Sequence, residues 1–414
     1  MIFGRRIEIT GKLTLETDLH IGASDTGRDA EDHKISLVAR DADDKPIIPA
    51  PSLKGVLRAG LADADAKTIF GDASEHRAGV GHAALLWLDH ARLATHSEEE
   101  LCGLSTETPV NGVFRAKHVA LDPATGAAEE HKLFTREMVA AGARFTFHAD
   151  WFGDDITELA KVFALLRDGV QLGRGSTKGH GCITLDPTTL LLKEYQPDAG
   201  ALKKQNMAAS DFYKAIDTIA DTSRYARRIT LTLQAEGPFL SARENGEHNQ
   251  NNQMQPLEKD GKPVLWPESL TGALRQRARW LVALADGDHR DDPSCKRNPD
   301  SLCDENLSPV ERLFGVTGRK GQLNIKSLIC RAPGNRVLLQ NNSIDRFTGA
   351  TRDGALYGKN AFWQPCFVAK LEVKGDHKLL DALLADLKTE GLELGHGAST
   401  GFGWFAVEVT DDRT

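Results

Sequence analysis

Apolar side chains alternate with polar ones through Ile7, Ile9, Leu13 and Leu15, and again through Ile229, Leu231 and Leu233. A period of two puts every second side chain on one face, so each run predicts a half-buried strand. Downstream of each strand the period becomes helical. Leu53, Val56, Leu57 and Leu61 mark one helix; Leu270, Ala273, Leu274, Ala278 and Leu281 mark its counterpart, with Ser52 and Ser269 placed as N-caps. Phe145–Phe147 and Phe367–Val373 predict later strands. A second helix follows each of them, carried by Ile156, Leu159, Phe163 and Leu166, or by Leu379, Leu380, Leu383, Leu384 and Leu387. A glycine cluster and a last strand close each half. Strand, helix, strands, helix, strand is the order of a ferredoxin-like sheet with its helices on one face, an α+β class.

The two halves also share motifs. Ser52-Leu53-Lys54-Gly55-Val56-Leu57-Arg58 precedes Ile69-Phe70-Gly71, and Ser269-Leu270-Thr271-Gly272-Ala273-Leu274-Arg275 precedes Leu313-Phe314-Gly315. Leu172–Gly181 and Leu394–Gly403 are both glycine-rich. Ser52 and Ser269 are 217 positions apart, and Gly173 and Gly395 are 222 apart. Two motifs in one order at nearly one offset imply a duplicated domain. The division reads as residues 1–195, a linker over 196–228, and residues 229–414.

Composition narrows the class. The 414 residues are 40% hydrophobic and 27% charged, an ordinary globular balance, and no apolar run approaches the roughly 20 residues of a membrane span. Arg5 and Arg6 lead into an alternating stretch with no signal-peptide core, so a cytoplasmic location is expected. Six scattered cysteines fit a reducing compartment. The net charge of −8 argues against indiscriminate polyanion coating but leaves room for a local basic groove.

Such a groove has two candidates. Glycines between a helix and a strand let backbone N–H groups approach a phosphate, and Arg174, Lys178 and His180 make the first cluster locally positive. The plainer alternative is a tight turn that only needs positive φ. The Ser-Leu-x-Gly-x-Leu-Arg helix start offers free N–H groups at a positive dipole end, with no side chain at Gly55 or Gly272 to obstruct a phosphate. Here the alternative is a glycine that lets the helix pack closely on a sheet. Neither cluster follows the order of a dinucleotide fingerprint, and a P-loop is absent from the sequence.

Leu19-His20-Ile21-Gly22, then Val38-Ala39-Arg40-Asp41 and Pro46–Arg58, resemble the N-terminal signature of the RAMP superfamily, above all the backbone subunits of type III CRISPR effector complexes. Pro263–Arg275 resembles the same signature, with Trp266 and Glu268 as departures. Asn342–Ala350 resembles the segment leading into the family's thumb hairpin, and Asn111–Arg115 is its weaker counterpart. The resemblance implies two tandem ferredoxin-like (RRM-like) domains with inserted thumb hairpins. It implies guide CRISPR RNA, complementary target RNA and other type III effector subunits as partners, and no membrane. Carried over residue by residue, it implies RNA contacts at His20, Ser52, Lys54, Gly55, Arg58, Arg115, Arg174, Lys178 and His180. In the second half the implied contacts are Ser269, Gly272, Arg275, Arg346, His396 and Ser399.

In this family a loop aspartate supports metal-dependent cleavage, in which a 2′-hydroxyl attacks its own phosphodiester. A gapless alignment puts Ile35 at that place, so Asp32, then Asp29 or Asp25, is the expected catalytic residue, with magnesium as the implied ion. The second half's loop, Ser241–Met254, has no aspartate and is expected to bind without cutting. His289, Cys295, Cys303 and Glu311 are a weak candidate for structural zinc, beside the reading of plain loop cysteines. The rivals are a scaffold that only binds RNA, a guide-processing endoribonuclease using His20, His33 or His180, and an unrelated small-ligand enzyme.

Overall fold

A computed structural model describes residues 5–28, 34–72, 81–94, 101, 104, 109–121, 128–198, 201–207, 209–219, 227–242, 253–286, 307–316, 318–375 and 377–412. The chain is α+β and divides into two compact units, the first ending at Arg224 and the second beginning at Tyr225, with Thr177–Gly179 grouped in the second.

In the second unit the alternating run becomes the central strand Arg227–Ala235. It pairs antiparallel with Cys366–Val373 on one side and Trp404–Asp411 on the other, and Leu323–Ala332 and Leu392–Glu393 complete the five-stranded sheet. Ile229, Leu231 and Leu233 all face a core shared with Leu270, Leu274 and Ala278 of one helix and Leu380, Leu383, Leu384 and Leu387 of another. Each such side chain contributes roughly 1.5–3 kcal/mol on burial. At the start of the central strand Arg227 is buried, and its guanidinium bridges Asp411 and Asp381, 2.6 Å from the latter.

The first unit repeats this plan around Arg6–Leu15, which pairs with Arg144–Trp151 and with Cys182–Leu185. The nine-stranded sheet also takes Val170–Gln171, Ala91–Leu93, Leu86–Leu88 and Ile47–Ile48. Helices α1 (Ala50–Gly60), α2 (Asp63–Phe70) and α3 (Ile156–Asp168) accompany it. α1 starts earlier than the sequence implies. Its N-cap is Pro49, whose carbonyl accepts from both Ser52 and Leu53, and Ser52 lies inside the first turn. Pro51 explains the shift, since a fixed φ and a missing N–H suit the first helical positions. The matching helix of the second unit likewise opens at Pro267, before Ser269.

The described residues between 196 and 219, within the stretch read as a linker, are built into the first unit, while Arg227 and Arg228 open the second unit's central strand. Leu191–Asp198 pairs with the N-terminal half of Arg6–Leu15, Ala201–Asn206 pairs with it in turn, and α4 (Ala209–Thr218) follows. Phe212 and Ile216 of α4 are buried, and the Phe212 ring meets Phe163 of α3 edge-on at 5.4 Å. Arg167 donates to the Ile216 carbonyl at 2.7 Å. Seven residues of α3 are therefore buried, whereas four of the matching helix Lys378–Glu390 are. The sequence hid this because the stretch is polar along its hairpin and only two α4 side chains carry the contact.

A second, four-stranded sheet flanks each unit's main sheet. In the first it is Gly22–Arg28, Lys34–Val38, Ala128–Val139 and Val113–Leu121; in the second it joins Pro238–Phe239, Thr351–Trp363, Gln253–Met254 and Asn335–Ile344. Each contains one long hairpin. Phe212→Ala should cost about 3–5 kcal/mol in the melting of the first unit, followed by calorimetry of the full chain, while the second unit's transition stays in place.

Candidate nucleic-acid interface

The two glycine clusters are stitched to the segment that follows each unit's first strand by matching backbone hydrogen bonds. Leu172 N–H donates to the Gly181 carbonyl at 3.0 Å, Gly181 N–H to Asp18 at 2.8 Å and Arg174 N–H to His20 at 2.8 Å. In the second unit Leu394 donates to Gly403 at 2.8 Å, Gly403 to Pro238 at 2.8 Å and His396 to Leu240 at 2.7 Å. Gly181 and Gly403 have positive φ, and a Cβ there would lie 1.9 and 2.0 Å from the carbonyl oxygens of Leu172 and Leu394. The turn itself demands these glycines. What the clusters deliver outward is Arg174 and His396, held at equivalent positions and both exposed. Lys178 is exposed as well, but is grouped with the second unit. Ser399 is exposed in the short turn Ala398–Thr400, and His180 is buried against Gly175.

His20 is only 2% exposed. Its Nδ1 lies 2.7 Å from the Glu137 carbonyl, which can only accept, so Nδ1 carries the proton. Burial, with Arg136 and Arg174 nearby, lowers its pKa against the opposing pull of the Glu137 carbonyl. The ring is thus a neutral strut between the first strand and the hairpin. The Glu137 carboxylate continues the tie, accepting from Val38 N–H and from Arg40, each at 3.2 Å.

On α1, Arg58 donates to the Gly71 carbonyl at 2.9 Å. Through this bond the guanidinium caps the end of α2 in the first unit. Ser52 and Lys54 are half-buried, with the Lys54 ammonium 6.0 Å from the Phe70 ring. Ser269 is exposed and Arg275 half-buried on the matching helix. Gly55 borders an open cleft of about 300 Å³ lined by Arg58, Ala59, Asp63, Ala66 and Lys67. Gly55 and Gly272 are exposed, and a Cβ at either would meet no atom within 4 Å. The close-packing explanation for these two glycines is therefore overturned. A mid-helix glycine costs roughly 0.5–1 kcal/mol relative to alanine, and among the described residues no contact asks for one.

The Asn342–Ala350 motif forms the tip of the second unit's hairpin rather than the segment before it. Asp345 Oδ1 accepts from Phe347 and Thr348 N–H at 2.9 and 3.0 Å, and these bonds lower its pKa. The turn holds out Phe347, 83% exposed, with the Arg346 guanidinium 4.9 Å from its ring. Asn111–Arg115, taken as the counterpart, instead begins the first strand of the other hairpin, where Arg115 is exposed opposite Glu137. The true counterpart is Asp122-Pro123-Ala124-Thr125-Gly126-Ala127, which joins the strands of that hairpin and shares Asp-x-x-Thr-Gly-Ala with Asp345–Ala350. That spacing was readable in the sequence. Residues 122–127 lie outside the described residues.

Of the candidate catalytic residues, Asp29 and Asp32 lie outside the described residues, as does His33, and Asp25 lies on the strand Gly22–Arg28. Ile35, which the gapless alignment sets at the expected aspartate position, is a buried strand residue paired with Gly27 and Thr135. Of the zinc candidates, His289, Cys295 and Cys303 lie outside the described residues. Glu311 is buried in a capping box, accepting from Ser308 N–H at 3.0 Å while Ser308 Oγ accepts from Glu311 N–H at 3.1 Å. Among the described residues no three His, Cys, Asp or Glu side chains converge as a metal site, and no helix is long and apolar enough to cross a membrane.

The family model of the RAMP superfamily matches residues 12–184 and again 217–406, so the chain belongs to the RAMP superfamily as a tandem member. That membership carries the coarse reading of a CRISPR-associated RNA-binding protein. The unmatched residues between them, 185–216, include the hairpin strands and most of α4. No curated protein matches the chain.

Gly55→Ala should raise the first unit's stability by about 0.5–1 kcal/mol, whereas Gly181→Ala should lower it by more than that, in paired thermal melts. The depressed His20 pKa also sets a sign. As pH falls below the ordinary value of 6.5, the unfolded chain takes up a proton that folded His20 refuses, so the first unit loses stability toward acid. His20→Gln should flatten that part of the melting-temperature profile.

Proposed function

We propose that the chain is a guide-RNA-binding backbone subunit of a type III CRISPR effector, each unit being a ferredoxin-like domain with a thumb hairpin. The observation that carries this reading is the pair Gly55 and Gly272: exposed glycines at matching helix positions, with no neighbour to a Cβ among the described residues, suit an RNA backbone that must come close. Arg174 and His396, presented by equivalent backbone bonds, add cationic or titratable groups, and backbone contacts of this kind bind without reading sequence. The sheet order of the second unit, Leu323–Ala332, Cys366–Val373, Arg227–Ala235, Trp404–Asp411, supports the ferredoxin-like assignment. In this reading the tips wedge into the guide–target duplex, and Phe347 gives the second tip a stacking ring that the first, with Pro123-Ala124, lacks.

Target cleavage, in the same reading, belongs to the first half. Its loop holds Asp25, Asp29 and Asp32, whereas the second half's loop offers Glu244 and Glu247 among amides; all but Asp25 lie outside the described residues. Carboxylates suit magnesium, and amides supply no charge to hold it. A second reading, a scaffold that binds without cutting, draws support from Ile35, since an apolar residue 1% exposed stands where the family's aspartate is expected.

Two experiments decide. Gly55→Gln together with Gly272→Gln should weaken guide-RNA binding about tenfold or more with no fall in melting temperature, because the obstruction lies outside the fold. Unchanged binding would remove the carrying observation. Replacing Asp25, Asp29 and Asp32 together with alanine should abolish one magnesium-dependent cut in a labelled complementary RNA while leaving guide affinity nearly unchanged. An intact cutting pattern would leave the scaffold reading standing.

A further inference from the structure

The two long hairpins keep one register. Val113 pairs with Val139 in the first and Arg336 with Phe362 in the second, 223 positions on along both strands. Arg115 therefore corresponds to Leu338, Lys117 to Gln340 and Val119 to Asn342. The strands Val113–Leu121 and Asn335–Ile344 each pair with their hairpin partner, and among the described residues neither has a strand on its other side. An open edge of this kind is a template for another strand, and proteins ordinarily blunt it with charge. The first edge is blunted in this way, by the exposed cations Arg115 and Lys117. The second carries no such guard. From Val337 to Ile344 it has no charged residue, and Leu338 is 45% and Ile344 65% exposed.

The unguarded edge is also complementary to itself. When a second copy is turned antiparallel about Asn341, Leu338 falls opposite the copy's Ile344, Gln340 opposite its Asn342, and Asn341 opposite itself. Positions 338, 340, 342 and 344 share one face of the strand, so apolar meets apolar and amide meets amide, pairings that stabilise neighbouring strands. The same operation on the first edge, about His118, sets the cations Arg115 and Lys117 against Leu121 and Val119. Val337 and Leu339 point the other way, packed on Leu240, Ala361 and Phe402, which seats the base of the strand. Arg336, next along, is ion-paired with Glu258. Beyond Gly358, where Gln253 joins the hairpin's far strand, the described hairpin consists of its own two strands, an arrangement marginal by itself in water.

We propose that the edge Val337–Ile344 is a self-association surface, on which two copies of the chain pair antiparallel about a twofold axis at Asn341. Backbone N–H and C=O groups supply the attraction, and the pattern of apolar and amide side chains fixes the register. Twofold pairing uses the edge of both copies, and the first hairpin's edge is guarded, so assembly closes at the dimer. The inference does not depend on the RNA-binding reading.

Sedimentation of the full, ribonuclease-treated chain over a range of concentrations should show a monomer–dimer equilibrium that salt hardly changes, since the paired segment carries no charge. Leu338→Arg with Gln340→Lys copies the first hairpin's side chains onto the second and should weaken the dimer about tenfold or more at unchanged melting temperature. Single cysteines under mild oxidation read the register, with wild type setting the background from native thiols. Asn341→Cys should cross-link to itself, because Cβ atoms directly opposite one another lie about 4.5–5.5 Å apart. Gln340→Cys and Asn342→Cys should cross-link when mixed and far less when alone. If the double variant melts early, the cysteine register decides by itself. A chain that stays monomeric at every concentration, a dimer indifferent to a well-folded double variant, or self-linking at Gln340→Cys as strong as at Asn341→Cys would overturn the proposal.

Discussion

One amide-to-carbonyl bond in each unit sets the position of everything functional around it: Arg174 to His20 in the first, His396 to Leu240 in the second. It ties the glycine cluster to the segment just after the first strand, two stretches more than 150 residues apart in the chain. Gly181 to Asp18 and Gly403 to Pro238 secure the same turns a few residues on. Through the Arg174 and His396 bonds an exposed side chain stands next to the hairpin root, and that neighbourhood is reproduced although little of the local sequence is. Leu240 replaces His20, so the second unit keeps the backbone bond and dispenses with the imidazole strut. Geometry has been preserved through the main chain while the side chains diverged.

The same economy separates structural from outward-facing residues within one motif. Leu53 and Leu57 seat α1, Arg58 closes α2, and Gly55 does neither. A short motif can thus contain three different reasons for being what it is. The glycine clusters show the converse, since Gly181 and Gly403 answer to carbonyls within their own turns. Counting glycines would have treated all of these alike.

Much of the architecture was legible in the chain. Period-two and helical runs located the central strands and main helices, because both units bury one face of each element and leave the other wet. The repeat was legible because its motifs keep order and spacing. Helix starts were displaced by Pro51 and Pro267, whose backbone constraint outweighs a serine cap. The tip counterpart was overlooked because Asp-x-x-Thr-Gly-Ala is thinner than the Asn111–Arg115 likeness, and only strand pairing separates a hairpin's tip from its base.

The α4 addition changes what a boundary means for this chain. The first family match stops at residue 184, but the physical surface of the first unit does not. Phe163 was shaped to be covered, and Phe212 and Ile216 are its cover. A fragment trimmed to the family's edge would leave an apolar patch uncovered on α3, a face prone to stick to other chains. Homology and self-sufficiency are different measures of where a piece of protein ends, and here they disagree by one hairpin and one helix.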